Sequence, residues 1–146
     1  MSLTVRFRKK DNTVSLPSYE TAGSAGADIK AHLSASLTIN KGEHRLVPTG
    51  LYPEIPSGYE IQVRPRSGLA LKKGITVLNT PGTVDSDYRG EIMVNIINLG
   101  DEPFTVSDGD RIAQIIVSPV LQAEFTTADS LSETERGEGG FGSTGV

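Results

Sequence analysis

Two carboxylates and a tyrosine lie in a short, turn-rich stretch, where Asp85, Asp87 and Tyr88 stand between Gly82 and Gly90. Glycine at both ends predicts a β-hairpin that carries these side chains at its tip. An aspartate is ionised at neutral pH and can take a proton from a water molecule held beside a substrate. Asp85 is therefore a candidate general base. The alternative is that both carboxylates only accept backbone N–H bonds and stabilise a turn.

A second candidate site is cationic. Four Arg or Lys side chains and no carboxylate occur in residues 64–73, although the whole chain has a net charge of −4. A local concentration of positive charge attracts small, highly charged anions. Ser67 is predicted to be the N-cap of a single helical turn, which Gly74 ends. A solvated charged face explains the same composition equally well.

A glutamine interrupts an apolar segment near the end of the chain. Residues 112–117 are apolar on both faces and predict a central strand. Gln114 shares its predicted side with Ile112 and Ile116. Because a buried amide needs hydrogen-bond partners, Gln114 either forms an internal bridge or points into a site.

The C-terminal segment has the composition of a disordered tail after Phe125, with mainly Ser, Thr, Glu and Gly. Arg136 and Phe141 nevertheless stand among its glycines, with Ser143 and Thr144 close by. Glycine N–H groups, hydroxyls and an arginine could clamp a phosphate and become ordered on binding it. Phe141 could then stack on an aromatic ring. Composition alone favours plain disorder.

The elements that must position these residues are predicted to be short strands separated by Gly, Pro, Asn and Asp. They cover residues 3–7, 25–31, 36–39, 46–51, 58–64, 75–78, 92–97, 104–106 and 112–117. Pro48 interrupts the fourth and indicates an edge or a bulge. The pattern predicts an all-β sandwich or jelly-roll-like barrel with one short helix.

Composition limits the function classes. A chain of 146 residues predicts one domain, and its lack of cysteine excludes disulfides and cysteine-ligated metals. No apolar run approaches membrane-spanning length and the N-terminus lacks a signal-peptide core, so we expect a cytoplasmic protein that does not bind membranes. The acidic net charge argues against a nucleic-acid partner.

Five segments together resemble, in order, the motifs of the trimeric dUTP pyrophosphatase (dUTPase) family. They are residues 25–28 (AGAD), 64–68 (RPRSG), 82–90 (GTVDSDYRG), 109–114 (GDRIAQ) and 136–145 (RGEGGFGSTG). One of these motifs would be weak evidence, whereas five in register over nearly the whole chain are specific.

The resemblance implies a β jelly roll assembled as a homotrimer, with active sites shared at subunit boundaries. Residues 1–128 would form the β domain. Residues 129–146 would form a flexible Gly-rich arm that closes over the active site.

The resemblance also implies which residues bind dUTP. The uracil and deoxyribose would contact Asn79, Gly82, Thr83, Val84, Tyr88, Met93 and Phe141. The phosphates would contact Arg66, Ser67, Gly68, Gln114, Arg136, Ser143 and Thr144. Backbone groups of residues 83–85, with Asn79, would pair with the uracil edge and leave no room for a 5-methyl group. Tyr88 would exclude a 2'-hydroxyl.

The implied reaction is hydrolysis of dUTP to dUMP and pyrophosphate, which limits uracil incorporation into DNA and supplies dUMP for dTMP synthesis. Asp85 would activate water for attack on the α-phosphate. Mg²⁺ would be the cofactor, held mainly by triphosphate oxygens and water. Asp28 would act on the metal shell through water or fix an arginine, unless it only caps a turn.

Two rival functions stay open on the sequence. A dCTP deaminase-like enzyme would share the fold and the phosphate-binding parts. A non-catalytic nucleotide sensor would use the arm to bind partner proteins. Turnover of dUTP compared with dCTP separates these readings.

Overall fold

A computed structural model of the chain describes residues 2–145, so Met1 and Val146, the two ends of the predicted domain and arm, lie outside the described residues. The strands are β1 (Arg6–Lys9), β2 (Ala27–Lys30), β3 (Leu37–Ile39), β4 (His44–Pro48), β5 (Leu51–Glu54), β6 (Tyr59–Arg64), β7 (Ile75–Val77), β8 (Gly82–Val84), β9 (Met93–Asn98), β10 (Phe104–Val106) and β11 (Arg111–Pro119). The helix α1 (Ser67–Lys73) lies between β6 and β7. The predicted all-β fold with one short helix is confirmed.

The strands form small antiparallel sheets. A four-stranded sheet has the order β2-β11-β6-β8, and a three-stranded sheet has the order β4-β9-β7. Two further pairs, β1-β5 and β3-β10, complete the body. β1 begins later than predicted because its partner β5 ends at Glu54, opposite Arg6, shortly before Pro56. Pro48 ends β4 at the edge of its sheet, as predicted.

The core lies between these sheets and consists almost entirely of aliphatic side chains. Ile61, Ile96 and Ile112 are each buried from solvent to 2% exposure or less and come from three different strands. Burying one such side chain contributes about 1.5–3 kcal/mol. Every sheet supplies residues to this core, and the candidate site residues of the body stand on strands and on the loops that join them.

The segment containing Asp85 is not a hairpin, so that prediction is wrong. β8 pairs with β6, with Gly82 opposite Val63. The flanking strands β7 and β9 pair with each other, with Val77 opposite Ile96. The chain therefore leaves one sheet after β7, adds β8 to the other sheet and returns at β9. Alternating hydrophobicity predicts the strands but does not specify their partners.

Helix α1 differs by one residue from its prediction. Arg66 is the N-cap, with an extended backbone and no side-chain capping bond, and Ser67 is the first helical residue. The predicted Ser67 cap is therefore wrong, because the Ala70 N–H already donates to the Arg66 carbonyl at 3.1 Å. Gly74 ends the helix as predicted, in the left-handed conformation at φ 67°.

β11 is a central strand, as predicted, but its alternation is broken. The register shifts between Arg111 and Ala113, which leaves Ile112 as the extra residue of a bulge. Ala113 and Ile115 then face the core, whereas Gln114 and Ile116 lie on the half-buried opposite face. The prediction that Gln114 shares a side with Ile112 is therefore wrong, since a bulge moves every following side chain to the other face.

The last regular element ends at Pro119, and the residues from Val120 to Glu138 are exposed. The Val120 N–H still donates to the Gly58 carbonyl, at 2.9 Å. Within residues 2–145, none of the helical structure has the length and apolar character needed to cross a bilayer.

Candidate functional site

A cavity of about 320 Å³ lies beside β8 and the turn that follows it. Its lining residues are Leu46, Thr83, Val84, Asp85, Tyr88, Glu91, Ile92 and Met93. Five of these residues, Thr83, Val84, Asp85, Tyr88 and Met93, are among those assigned to catalysis or to base and sugar binding from the sequence. The tertiary structure thus brings β8, the turn after it and the start of β9 around one space.

Gly82 and Asn79 lie next to this cavity without lining it. Gly82 is buried at the start of β8, and a Cβ built on it would lie 3.5 Å from Asn79 Nδ2. The exposed Asn79 amide therefore lies beside the backbone of β8. Both residues lie at the N-terminal end of β8.

β8 forms one edge of the four-stranded sheet. Its pairing with β6 engages one side of the strand only. Within the described chain, the other side of Gly82–Val84 faces no strand, so its backbone N–H and C=O groups are available to a ligand. An edge strand of this kind can recognise donors and acceptors in one plane.

Asp85 is exposed at the end of β8 and borders two cavities. The second cavity measures about 590 Å³ and is lined by Ser57, Gly58, Tyr59, Glu60, Asp85, Ser86, Asp87, Val120 and Gln122. The Tyr88 N–H donates to the Asp85 carbonyl at 3.1 Å, which closes the turn. Because Glu60, Asp85 and Asp87 all face the larger cavity, a phosphate entering it needs cations from elsewhere.

A second cluster contains Arg66, Asp28 and Arg111. The Asp28 carboxylate lies 3.5 Å from Arg66 Nε and 3.5 Å from Arg111 Nη1, and its side chain is 13% exposed. Arg66 also donates to the Arg111 carbonyl at 3.2 Å. Asp28 thus fixes two guanidinium groups, and Arg66 keeps 32% of its side chain exposed.

Gln114 belongs to the same cluster. Its Nε2 donates to the Pro65 carbonyl at 2.9 Å, so within this chain the amide forms an internal bridge. A Cβ on Gly26 would lie 2.0 Å from Gln114 Oε1, so glycine at this position leaves the space that the amide occupies. Gln114 therefore connects the turn before β2 to the segment that leads into α1.

Ser67 and Gly68 form the exposed first turn of α1. The first N–H groups of a helix have no intrahelical acceptor and carry partial positive charge. No acidic side chain occupies this turn. Together with Arg66, the turn offers donors and charge to an anion.

The cavity beside Asp85 and the cluster around Arg66 lie at opposite ends of β6. Val84 is opposite Ile61, so Asp85 lies near Glu60, whereas Arg66 follows the other end of the strand. Six residues of extended chain correspond to about 20 Å. One chain therefore does not bring Asp85 and the Arg66 cluster to the same small ligand.

The C-terminal segment makes its hydrogen bonds locally. Arg136 Nε donates to the Gly139 carbonyl at 2.8 Å, and the Ser143 N–H donates to the Gly140 carbonyl at 3.1 Å. Phe141 is fully exposed, with φ at 51° in the left-handed region. Thr144 is also exposed. The predicted clamp residues are thus near one another but lie outside the cavity beside Asp85 and outside the Arg66 cluster.

Several residues at these sites were not singled out from the sequence, among them Leu46, Glu91 and Arg111, together with Tyr52, which bonds to Glu91. Leu46 is 55% exposed, and no pattern distinguishes it from a core leucine. Arg111 lies within the fourth motif, which was a usable signal. Tyr52 donates to Glu91 Oε1 at 3.3 Å across two elements, which only the fold brings together.

Comparisons with known proteins agree over almost the whole chain. The sequence profile of the dUTPase family matches residues 12–145. The deoxyuridine 5'-triphosphate nucleotidohydrolase of Desulfotalea psychrophila is 58% identical over 138 residues, covering 94% of this chain and 92% of the relative. The enzyme of the same name from Bdellovibrio bacteriovorus is 54% identical over 144 residues, covering 98% and 97%.

Solved structures support the fold. The dUTPase of Staphylococcus bacteriophage 80alpha with dUPNHPP superposes with a TM-score of 0.88 at 24% identity and covers 98% of this chain and 99% of its own. A mutant dUTPase from phage phi11 of S. aureus, described with a structural Mg(II) ion, gives 0.80 at 19% identity, covering 89% and 99%. At these identities the likeness concerns the jelly-roll-like β fold.

Proposed function

The chain belongs to the dUTPase family and is a dUTP diphosphatase, and from that premise we propose how its own residues select and hydrolyse dUTP. The Asp85 cavity receives the nucleoside, and Asp85 activates the attacking water. The Arg66 cluster of a neighbouring subunit holds the phosphates. The single observation that carries the proposal is that Thr83, Val84, Asp85, Tyr88 and Met93 line one cavity beside an unpaired strand edge.

Uracil is selected by the backbone of β8. The free edge of Gly82–Val84 presents N–H and C=O groups, to which Asn79 adds its amide. Uracil matches these donors and acceptors, whereas cytosine reverses the pattern and leaves buried groups unpaired. A strand edge in contact with the ring also leaves no room for the 5-methyl group of thymine.

The sugar lies between Tyr88 and the apolar wall of the cavity. Tyr88 is 43% exposed and Met93 is 40% exposed, so both offer surface to a ligand. The Tyr88 ring packs under the deoxyribose and occupies the space of a 2'-hydroxyl. UTP is rejected for that reason.

Asp85 carries the chemical step. Its exposed carboxylate lies between the smaller cavity and the larger one, so a water molecule bound there lies beside the nucleotide. Asp85 accepts a proton from this water as the water oxygen forms a bond to the α-phosphorus. The bond between that phosphorus and the bridging oxygen breaks, giving dUMP and pyrophosphate.

The phosphates require a second subunit. Arg66, Ser67, Gly68 and Gln114 lie at the far end of β6 from Asp85, by about 20 Å of extended chain. A homotrimer with shared active sites places one subunit's Asp85 beside another's Arg66 cluster. Asp28 contributes by fixing Arg66.

The C-terminal arm completes the site. Leu121, Phe125 and Leu131 are each at least 88% exposed in the single chain, so this segment gains apolar burial by lying on a neighbouring subunit. Arg136, Ser143 and Thr144 then bind the terminal phosphates and Phe141 stacks on the uracil. Closure excludes bulk water.

The donor set fits Mg²⁺ bound chiefly through the substrate. Among residues 2–145, no group of three or more His, Cys, Asp or Glu side chains forms a compact metal site. Magnesium commonly keeps several waters and uses substrate phosphates with one or two carboxylates. Asp28, which lies 3.5 Å from Arg66 in the proposed phosphate-binding cluster, would reach the ion through water, and the ion, when bound, neutralises triphosphate charge.

Pyrophosphate release tests the proposal. The full-length protein is incubated with Mg²⁺ and with dUTP, dTTP, dCTP or UTP in turn. We expect release from dUTP and at least about 100-fold lower kcat/KM for the other three nucleotides. Comparable turnover of dTTP would contradict recognition by the β8 edge, and conversion of dCTP to a uracil nucleotide would favour a deaminase instead.

A further inference from the structure

Gly90 lies directly under the ring of Tyr88. A Cβ built on Gly90 would lie 2.3 Å from Tyr88 Oη, 2.5 Å from Cζ and 2.8 Å from Cε1. Real Cβ atoms do not approach other atoms so closely, and the φ of Gly90 lies outside the left-handed region. Glycine at this position is therefore matched to the present place of the ring and not to the backbone conformation. Any larger residue must push the ring away.

The hydroxyl end of Tyr88 is held as well. Tyr88 Oη donates to the Glu91 carbonyl at 2.8 Å. The Glu91 side chain accepts a hydrogen bond from Tyr52 at 3.3 Å, and the Arg8 guanidinium lies 3.8 Å from the Tyr52 ring centroid. The β1-β5 pair thus supports the residue to which Tyr88 is bonded.

The chain after Glu91 is anchored in the core. The Ile92 N–H donates to the Leu51 carbonyl at 2.8 Å, and the buried Thr49 hydroxyl donates to the Ile92 carbonyl at 2.6 Å. Ile92 itself is 2% exposed. The Glu91 carbonyl that binds Tyr88 therefore has little freedom to move.

We propose that Gly90, together with the Tyr52–Glu91 pair, positions the Tyr88 ring and thereby sets the discrimination between deoxyribonucleotide and ribonucleotide. Gly90 leaves the space in which the ring lies, and the hydrogen bond from Tyr52 holds Glu91, whose carbonyl binds the Tyr88 hydroxyl. This inference rests on the proposed role of Tyr88 as the sugar gate. None of the three positioning residues takes part in the chemical step.

The physical reason is the size of the feature being rejected. A 2'-hydroxyl adds one oxygen atom, so a ring displaced by about 1 Å opens enough space to admit much of it. A pocket that excludes an added hydroxyl by contact alone discriminates by about 100-fold. Small changes under the ring therefore affect selectivity more than they affect turnover of dUTP.

The test compares kcat/KM for dUTP and UTP in a set of full-length variants. In Gly90→Ala the ring must move, so we expect the dUTP/UTP ratio to fall at least about tenfold while dUTP turnover falls less. Gly23→Ala is the matched control, because nothing lies within 4 Å of its Cβ position and its φ is also outside the left-handed region. Tyr52→Phe removes only the bond to Glu91 and should lower the ratio by about twofold.

Tyr88→Ala and the double variant Tyr88→Ala/Gly90→Ala separate the inference from the function on which it rests. If Gly90 acts through the ring, the double variant has the same dUTP/UTP ratio as Tyr88→Ala alone. An unchanged ratio in Tyr88→Ala would overturn the sugar gate itself. A changed ratio in Tyr88→Ala with an unchanged ratio in Gly90→Ala would overturn the positioning role only.

Thermal unfolding of the same variants distinguishes positioning from general damage. The tyrosine can turn toward solvent, so the melting temperature of Gly90→Ala should stay close to that of Gly23→Ala. A large drop in melting temperature with equal losses for dUTP and UTP would show that Gly90 is required for folding alone, and would contradict the proposal.

Discussion

The turn at residues 85–91 and the segment at residues 134–145 both carry residues assigned to the nucleotide, yet they are built in opposite ways. In the turn, the Tyr88 ring packs against Gly90 and its hydroxyl donates a hydrogen bond to the Glu91 carbonyl. The residue after Glu91, Ile92, is buried. In the C-terminal segment, the hydrogen bonds that Arg136 and Ser143 form within residues 2–145 go to nearby glycines, and Phe141 is fully exposed.

The difference shows which part of recognition each region can supply. A wall fixed by the core selects a base and a sugar by shape, because it does not adapt to the wrong ligand. A segment whose turns are local and whose described residues are mostly exposed gives up conformational entropy when it closes. We expect the turn to determine which nucleotide reacts, and the C-terminal segment to determine how fast.

Asp85→Asn should have the largest effect, because it removes the proposed base without changing the shape of the turn. We expect kcat for dUTP to fall about 1,000-fold, within the range for loss of general base catalysis. Binding of a non-hydrolysable dUTP analogue, measured by calorimetry, should be little changed. Asp87→Asn is the matched control, since Asp87 borders the larger cavity but not the smaller one. Equal losses of kcat in both variants would show that Asp85 is not the general base.

Deleting residues 136–146 should have the next largest effect. Loss of the closing segment misaligns the phosphates and admits water, and we expect kcat/KM for dUTP to fall about 100-fold. Discrimination between dUTP and UTP should persist, because the turn remains. Circular dichroism should be unchanged. Full activity of the shortened protein would contradict the division of roles between the two regions.

Phe141→Ala should have a smaller effect than the deletion. Stacking of an aromatic side chain on a base contributes about 1–3 kcal/mol, so kcat/KM for dUTP should fall about tenfold. Phe141→Tyr keeps the aromatic face and should retain most of the activity. If the alanine and tyrosine variants lost activity equally, stacking would not be the function of this side chain.

A change remote from both regions should leave nucleotide turnover alone. Hydrogen bonds from the Thr13 side chain and backbone, followed by the charge of His32, hold the pKa of Asp11 below its ordinary value. A carboxylate whose pKa is lower in the folded state stabilises the protein at pH values above its unfolded-state pKa of about 3.9. That contribution is lost as the pH falls through the folded-state pKa.

Asp11→Asn should therefore flatten the loss of thermal stability below about pH 4, with unchanged dUTP turnover at neutral pH. Melting temperatures of both proteins between about pH 2.5 and 7 measure this. Identical acid profiles would show that Asp11 contributes nothing to acid stability. Altered turnover would show that the Asp11 loop is coupled to the site.

Much of the fold follows from local signals. The helix stop at Gly74, the central strand β11 and the edge position of Pro48 were all predicted, because each depends on one residue's backbone preference or on continuous hydrophobicity. The hairpin at 82–92 and the shared face of Gln114 and Ile112 were wrong. Strand partners and a single-residue bulge depend on distant segments, which alternation within one strand does not encode.

The sequence by itself determined the family, because five segments in order resemble its motifs, and it supplied Asp85 as the candidate base and the segments proposed to bind the nucleotide. Only the tertiary structure decided that β8 pairs with β6 and not with β7 or β9. It alone also decided that the Tyr88 ring packs against Gly90, and that Arg66 and Asp85 lie at opposite ends of β6. The physical reason is that a residue's type sets its chemistry, whereas its neighbours in space are set by sheet pairing and core packing over the whole chain.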